Sequence, residues 1–257
     1  MTGGDQRFDA LVVADSRFAG GSTSALVDDV RAMDAIGMKL GLLFVRSAYL
    51  DDSRDAVNPK VEALCDLPSV TRLGPGASAS APLAFLHHPQ VFFQGIEETA
   101  RMQAEKAVIV AHQPPFREDG SLEYDPIATS RRARKALGLN DNPWFAPVSG
   151  VVRSQLASFA PLVRLTSQDW PNIFDGSDWV PTSPIFEGPA ITIGRHGRAD
   201  LQKFPTTGAE IDASLPAGPD IRVRVLGCPT DELAAKGAHP DRWEVLPFGS
   251  EPAVAFL

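Results

Sequence analysis

The first fifty residues alternate apolar runs with an amphipathic stretch. Residues 8–14 (FDALVVA) and 39–47 (KLGLLFVRS) are nearly continuous apolar runs, which are typical of strands buried on both faces of a parallel sheet. Between them, apolar side chains recur at helical spacing, at Leu26, Val27, Val30, Met33 and Ile36. The pattern predicts a strand, a turn, a helix and a second strand, which together form a right-handed βαβ unit.

The same alternation continues along the chain. Strands are predicted at 81–89 and 108–115, and helical segments at 59–67, 97–107, 130–139 and in the second half of 142–159. Repeated alternation of helices with apolar strands indicates an α/β fold, a Rossmann-like doubly wound parallel sheet.

A change of composition at residues 169–188 predicts a domain crossing, because this stretch is rich in Trp, Pro, Asp and Gly and has no periodicity. Strand-like runs then restart at 190–195, 221–227 and 244–249. We therefore predict two domains, residues 1–188 and 189–257. A complete doubly wound sheet needs about 100 residues or more, so the second domain is expected to be only the first part of a Rossmann-like domain, and the chain to be truncated.

The overall charge narrows the range of partners. The 257-residue chain has a formal net charge of -8, whereas nucleic acid requires a basic face, so nucleic acid is not an expected partner.

The sequence also bears on the compartment. It contains no apolar run of about 18 residues, so no membrane span is predicted, and its first residues lack the pattern of a secretory signal. Cys65 and Cys228 form neither a disulfide framework nor a metal motif. A reduced, cytoplasmic setting is therefore expected.

A glycine-rich turn, AGGSTSAL, follows the first predicted strand. It matches neither the G-x-G-x-x-G pattern of dinucleotide-binding proteins nor the P-loop pattern. Glycine lets a ligand approach the backbone closely, and unpaired N–H groups at a helix N-terminus attract anions and hydroxyl groups. Gly20, Gly21 and Ser22 are therefore candidate ligand contacts. The alternative is a tight turn in which Ser22 or one of the two residues after it caps the helix.

Histidines stand at the ends of two predicted strands. His87 and His88 end one strand and His112 ends the next, and the carboxyl ends of strands line the ligand crevice of an open α/β sheet. His112 is a candidate catalytic residue, as a general base or as a hydrogen-bond donor to a hydroxyl group. A structural role is the alternative for His112 and is favoured for the other two. No carboxylate or cysteine stands at ligand spacing from a histidine, so no metal is expected.

Carboxylates and tryptophans give less specific indications of a sugar site. Asp15 follows the first strand and could either hold sugar hydroxyls or remain solvated in its loop. Trp144, Trp170 and Trp179 could stack on sugar rings or pack between the domains. The sequence positions of these residues do not distinguish a sugar contact from a structural role.

The segment ITIGRHGRADLQKFP gathers cations in an otherwise acidic chain. A β-branched run ends at Gly194, and Arg195, Arg198 and Lys203 follow it. Two glycines and a proline interrupt helical periodicity, so these cations do not form the solvated face of a helix. Arginines at the end of a strand suit a phosphate or diphosphate, which guanidinium groups bind through paired hydrogen bonds. The alternative is ion pairing within the chain, with Asp200 or nearby acids.

Together these features resemble the GT-B glycosyltransferases, most closely the bacterial "group one" retaining enzymes of exopolysaccharide and related glycan synthesis. The segment IGRHGRADLQKFP is similar to the IGRHSRPDPLKWP-type segment of a subset of these proteins, and the stretches DWPNIFD and VLPFG resemble that subset too. The AGGS turn resembles the glycine loop near the donor phosphates and the acceptor. The resemblance covers most of the chain.

The resemblance implies a reaction in which a sugar moves from a nucleotide diphosphate sugar to a hydroxyl group of a glycan or other acceptor. Gly194, Arg195 and Lys203 match the Gly-Arg…Lys pattern that contacts the diphosphate, with Arg198 assisting, and His112 is expected to face the acceptor or donor sugar. Enzymes of this fold generally use no bound metal, so the resemblance implies no cofactor.

By the same resemblance, Gly20, Gly21 and Ser22 lie beside the reacting sugars. The family's E-x₇-E-type segment and second nucleotide-binding half have no counterpart here. The chain is therefore expected to be inactive alone unless a partner chain, through homo-oligomerisation or domain swapping, completes the fold. The alternative function is a non-catalytic module that binds a glycan or a nucleotide. A Rossmann-like oxidoreductase is disfavoured because G-x-G-x-x-G is absent from the sequence.

Overall fold

The computed structural model describes residues 6–18, 20–50, 57–97, 100–176, 190–251 and 256. The chain forms two compact units, Met1–Phe174 and Asp175–Leu257, and each contains its own parallel sheet. The predicted domain boundary after residue 188 and the predicted stacking residue Trp179 lie outside the described residues.

The first unit is built from short strands and helices in alternation. Its strands are β1 (Gln6–Arg7), β2 (Ala10–Ala14), β3 (Leu40–Phe44), β4 (Val70–Leu73), β5 (Ser78–His87), β6 (Arg101–Ala111) and β7 (Trp144–Pro147). Its helices are α1 (Gly21–Ala35), α2 (Pro59–Glu62), α3 (Pro89–Gln94), α4 (Pro126–Leu137) and α5 (Gly150–Ala157), and a 3₁₀ turn, Ala63–Asp66, follows α2.

The strands of this unit form one parallel sheet in the order β4-β3-β2-β5-β6-β7, and the short β1 also pairs with β5. The central strand β2 pairs with β3 on one side and with β5 on the other. The chain therefore builds outward from β2 to β4 and then crosses to the opposite side of β2. Such a reversal between neighbouring strands opens a crevice at their carboxyl ends, where open α/β sheets bind ligands.

Both faces of this sheet are covered by side chains of the core. In β2 every residue is buried; Leu11 and Val13 pack into one cluster of apolar side chains, whereas Ala10 and Val12 pack into the other. This arrangement explains why the strand reads as a continuous apolar run rather than as an alternation, since neither face meets water.

Two predictions about elements are wrong. Residues 101–107, predicted as helical, form the first part of β6, where buried Met102 alternates with exposed neighbours. Their Ala, Glu, Lys and Gln favour a helix, but pairing with β5 along the whole strand overrides that weak preference. The helix of this region, α3, lies earlier instead. Ile36, predicted on the buried face of α1, follows the end of that helix and is 76% exposed.

The second unit contains strands β8 (Ile191–His196), β9 (Ile221–Leu226) and β10 (Glu244–Leu246), helices α6 (Gly208–Ser214) and α7 (Thr230–Ala235), and 3₁₀ turns at Leu201–Lys203 and Pro240–Arg242. The strands are parallel, in the order β10-β9-β8. Val223, Val225, Ile211, Leu233 and Trp243 belong to the apolar core between sheet and helices. The sequence pattern missed α6, although Thr207 and Glu210 form a capping box at its start.

The predicted fold class is therefore confirmed: a Rossmann-like parallel sheet is followed by a second, smaller parallel sheet. None of the helices in the described residues is long and apolar enough to cross a membrane.

A glycine between β9 and β10 gives a test of this second fold. In a Gly227→Ala variant the new Cβ would lie 2.0 Å from the carbonyl oxygen of Gly197, and the backbone would keep a φ of 77°. We expect the free energy of unfolding of this unit to fall by more than about 2 kcal/mol, because a steric overlap adds to the cost of left-handed backbone. Urea denaturation measures the change.

Two other glycines distinguish the cost of steric overlap from the cost of left-handed backbone. Gly249→Ala keeps a positive φ of 82° but meets open space, so it should cost only about 1–2 kcal/mol. Gly218→Ala has neither problem and should leave stability nearly unchanged. A Gly227→Ala variant as stable as Gly249→Ala would contradict the close approach of the two loops.

Candidate functional site

The candidate site of the first unit lies where the strand order reverses. The carboxyl ends of β2, β5 and β6 meet there, and the N-terminus of α1 follows β2 after a short loop. Each predicted site residue of this unit stands on one of these elements. The topology therefore brings together side chains that are far apart in sequence.

A buried ion pair fixes the loop between β2 and α1. Asp15 accepts hydrogen bonds from Arg17 Nε at 3.0 Å and from Arg17 Nη2 at 2.7 Å, and its carboxylate also accepts from the backbone N–H of Ser47 at 2.8 Å. Arg17 in turn donates to the carbonyl of Ser47 at 2.8 Å. Asp15 is thus neither a solvated loop residue nor a free sugar ligand: it ties the loop after β2 to the loop after β3.

The glycine turn forms the start of α1. Gly20 caps the helix with φ 102° and ψ −158°, a conformation open to glycine alone, and no side chain caps the backbone N–H groups. The alternative in which a Ser or Thr side chain caps this helix is therefore wrong. Gly21 is the first helical residue and Ser22 the second. A Cβ at Gly20 or Gly21 would meet open space, so these glycines leave the backbone accessible rather than filling a tight contact.

Three histidines gather beside this turn. His87 is the last residue of β5, His88 precedes α3, and His112 follows β6. The ring centroid of His112 lies 5.8 Å from that of His87 and 6.3 Å from that of His88. Within the described residues, His88 is the only non-glycine residue with a positive φ, at 77°. Such strain is concentrated at functional sites, where the surrounding structure enforces it.

The histidines and the start of α1 enclose a small cavity. It is lined by Asp15, Phe18, Ser22, Thr23, His87, His88 and His112, among others, and has a volume of about 10 Å³. That volume holds one water molecule or one hydroxyl group. Among the residues around this cavity, four buried side-chain atoms have no hydrogen-bond partner within the described residues, namely Thr23 Oγ1, His87 Nδ1, His88 Nδ1 and His112 Nε2. A buried polar atom without a partner costs about 1–3 kcal/mol, so a polar ligand would recover that energy here.

Burial keeps these histidines neutral. It lowers the pKa of His87 and of His88 to about 3 and that of His112 to about 4, and His112 further lowers the pKa of the other two by charge repulsion. A neutral imidazole has one donor nitrogen and one acceptor nitrogen. Since a general base works best with a pKa near the working pH, the low pKa of His112 favours the predicted hydrogen-bonding role over the role of base.

A buried carboxylate lies behind the histidines. Asp29, on α1, accepts a hydrogen bond from Trp170 Nε1 at 3.0 Å, and its Oδ2 lies 4.0 Å from His87 Nε2. Burial raises the pKa of Asp29 to about 6, and the hydrogen bond from Trp170 opposes that rise. Trp170, predicted as a stacking platform or as packing between the domains, packs inside the first unit against Phe85. The sequence reasoning missed Asp29 because nothing in its local pattern distinguishes it from other helical acids.

In the second unit the basic segment begins inside a strand. β8 continues past Gly194 to His196, one residue beyond the strand-like run predicted at 190–195. A Cβ at Gly194 would lie 3.2 Å from the ring of Phe256, and close packing of that ring therefore explains the glycine.

Arg195 is largely committed to the fold of its unit. Its guanidinium lies 3.7 Å from the ring centroid of Phe204, and its Nη2 donates to the backbone carbonyl of Lys203 at 2.7 Å. Burial lowers the pKa of Arg195. These contacts hold the 3₁₀ turn after β8 against the strand.

Arg198 and the side chain of Lys203 are exposed beside this turn. The alternative of ion pairing with Asp200 is not realised, because the Asp200 carboxylate accepts from the backbone N–H of Gln202 at 3.1 Å. Among the described residues neither cation forms an ion pair with a carboxylate. Both charges are thus available to an anion. In the part of the chain that the structure describes, no group of three or more His, Cys, Asp or Glu residues is arranged to hold a metal ion.

Comparisons with known proteins reveal the fold but no relative in sequence. A scan against protein-family models and a search of curated proteins found no match. Among solved structures, the chain is similar to HepE of Anabaena in complex with UDP and glucose, and to the same protein in complex with UDP-glucose. In both comparisons the TM-score is 0.54 at 12% sequence identity, and the match covers 95% of this chain and 70% of the other. The chain therefore shares the fold of these structures, which is of the GT-B type.

The neutral histidines predict a pH-dependent stability. In the unfolded chain each would bind a proton near its usual pKa of 6.5, but in the folded chain only near 3 or 4, so the free energy of unfolding falls as the pH drops below 6.5. Asp29, whose pKa is raised, gains stability as the pH falls through 6 and offsets part of this loss. His112→Asn should flatten the slope by up to about 1.4 kcal/mol per pH unit.

Urea denaturation between pH 7 and pH 5 measures that slope. His196→Asn, which replaces an exposed histidine of the second unit, is the matched control and should keep the slope of the unchanged protein. Equal slopes for the unchanged protein and for His112→Asn would show that His112 is not held neutral by burial.

Proposed function

We propose that this protein is a glycosyltransferase, which moves a sugar from a nucleotide diphosphate sugar to a hydroxyl group of a glycan or other acceptor. The observation that carries the proposal is the histidine cavity at the reversal point of the first sheet, where four buried polar atoms lack partners within the described residues. A fold similar to that of a protein solved with UDP and glucose supports it.

The chemistry of the cavity suits a hydroxyl group. A sugar hydroxyl both donates and accepts hydrogen bonds, and so do a neutral imidazole and the Thr23 hydroxyl. Because the cavity has room for one such group, it would hold a single hydroxyl of a sugar whose ring lies over the glycine turn at Gly20, Gly21 and Ser22.

His112 would position the sugar rather than take its proton. With a pKa lowered to about 4 by burial, it is neutral at pH 7 and can donate or accept one hydrogen bond through Nε2, which has no partner in the described part of the chain. Such a bond orients the sugar for reaction, and orientation alone supplies a large part of many rate enhancements.

The charged residues of the second unit suit the leaving group. In the proposed reaction the bond between the anomeric carbon and the diphosphate oxygen breaks, and a bond from that carbon to the acceptor oxygen forms. The nucleoside diphosphate departs with the bonding electrons, and its oxygen takes up the proton that the acceptor hydroxyl loses. Arg198 and Lys203 would stabilise its growing negative charge. Arg195, packed on Phe204, would hold the segment of Lys203 in place, and Gly194 would act only through packing.

The finer parts of the proposal rest on the sequence resemblance. They are retention of the anomeric configuration, a role in glycan or polysaccharide synthesis and activity without a bound metal. The alternative is a non-catalytic module that binds a glycan or a nucleotide, which the same hydroxyl-binding cavity would serve equally well. Only turnover separates the two functions.

Removal of the two exposed charges tests the diphosphate contacts. Arg198→Gln combined with Lys203→Gln is expected to weaken the binding of UDP at least tenfold, because a hydrogen bond to a charged group contributes about 1.5–3 kcal/mol. Isothermal titration calorimetry at low ionic strength measures the affinity.

The matched control removes the same charge from the opposite edge of the same sheet. Lys236 and Arg242 both precede β10, and Lys236→Gln with Arg242→Gln should leave the affinity for UDP unchanged. If the Arg198 and Lys203 variant binds UDP as tightly as the control does, the assignment of the diphosphate site is wrong.

Turnover tests the transferase itself. With UDP-glucose and a panel of oligosaccharide acceptors, we expect the chain completed by a partner copy to release UDP, to give a product with the anomeric configuration of the donor by NMR, and to lose no rate in EDTA. His112→Asn should lower kcat about 10–100-fold with a smaller change in KM. Binding of UDP-glucose without release of UDP for any acceptor would favour the non-catalytic module.

A further inference from the structure

A second cavity lies on the other side of β2 from the histidines. It has a volume of about 420 Å³ and lies at the carboxyl ends of β2, β3 and β4. Three arginines from three different segments line it: Arg17 from the loop after β2, Arg46 from the loop after β3, and Arg72 from β4. The proposed transfer reaction uses none of them.

Arg17 is held rigidly at this cavity. Its side chain is 3% exposed, and its hydrogen bonds to Asp15 and to the carbonyl of Ser47 fix the plane of the guanidinium. A guanidinium whose orientation is already fixed loses little entropy when it binds a further group. This cation is therefore part of a preformed wall.

The other two arginines stand closer to solvent. Arg72 lies over the ring of Phe44 at 5.1 Å and pairs with Glu62 at 2.8 Å, where both side chains are about half exposed. Arg46 lies 3.6 Å from Glu97, whose side chain is 65% exposed. An exposed pair such as that of Arg72 with Glu62 contributes only about 0–1 kcal/mol, so an anion that contacts Arg72 would displace this carboxylate at little cost.

The charges and dimensions of the cavity indicate its ligand. Among the described residues, three arginines and one aspartate are the charged side chains that line it, although the chain as a whole has a net charge of -8. Guanidinium groups bind phosphate oxygens in pairs, and the several oxygens of a phosphate monoester can be contacted from different sides at once. The volume exceeds that of a phosphate group, and Phe44, Val57 and Pro75 supply apolar surface for an attached organic group.

We propose that this arginine cavity binds the phosphate group of an organic phosphate. The site shares no residue with the proposed diphosphate contacts, Arg198 and Lys203 of the second unit. If the ligand is the acceptor of the transfer reaction, that identification rests on the proposed function; binding of the phosphate itself does not.

Titration with glucose 6-phosphate tests the proposal. Arg46→Gln combined with Arg72→Gln should weaken its binding at least tenfold, whereas Arg31→Gln, on the exposed surface of α1, should leave the affinity unchanged. Glu62→Gln removes a competing carboxylate and should tighten binding several-fold. Arg17 is left intact because its buried ion pair is part of the fold, and circular dichroism confirms that each variant is folded.

Two further arms identify the source of the phosphate and separate this proposal from the proposed function. If the unchanged protein binds vesicles that contain phosphatidylglycerol and the Arg46 and Arg72 variant does not, the site is assigned to a lipid phosphate. Saturable binding of glucose 6-phosphate would assign the site to a soluble phosphate. Arg198→Gln with Lys203→Gln should not alter either result. If neither probe binds, or if the Arg46 and Arg72 variant binds as the unchanged protein does, the proposal is overturned.

Discussion

The ion pair between Asp15 and Arg17 is the interaction on which the candidate sites of the first unit depend. A buried pair is stable only when its remaining hydrogen-bonding groups are also satisfied, and both partners achieve this through the backbone of Ser47. The pair thereby joins the loops after β2 and β3. Asp15 also lines both the histidine cavity and the arginine cavity, so the same residue borders the two. Removal of either partner would leave an unpaired buried charge and disturb both cavities at once.

The two cavities differ in chemistry because burial acts differently on their residues. Histidines can lose their charge, and burial lowers the pKa of His87, His88 and His112 until all three are neutral. Arginines keep their charge at any physiological pH. One edge of the sheet therefore presents neutral groups, which suit hydroxyls, next to fixed cations, which suit an anion. A ligand with both a hydroxyl and a phosphate would match this edge better than either group alone.

The second unit separates positioning from binding within one short basic segment. Arg195 donates a hydrogen bond to the backbone carbonyl of Lys203 and packs on the ring of Phe204. These two contacts fix the backbone after β8. Arg198 and the side chain of Lys203 remain exposed. Exposed cations lose little by exchanging water for a phosphate, whereas Arg195 is partly buried and donates through Nη2 to the chain itself, with only Nη1 lacking a partner among the described residues. Arg195, the arginine of the Gly-Arg…Lys pattern, therefore makes more contacts within its own unit than Arg198 does.

The sequence by itself determined the fold class and the place of Gly20, Ser22 and His112 at the carboxyl ends of the strands, because apolar periodicity and turn residues are local properties. Only the tertiary structure decided which side chains meet there. Residues 101–107 became a strand through pairing with β5, and Asp29 met Trp170 across 141 positions of chain. The neutrality of the histidines was also decided by tertiary structure, since a pKa follows burial and neighbouring groups, which no local pattern contains.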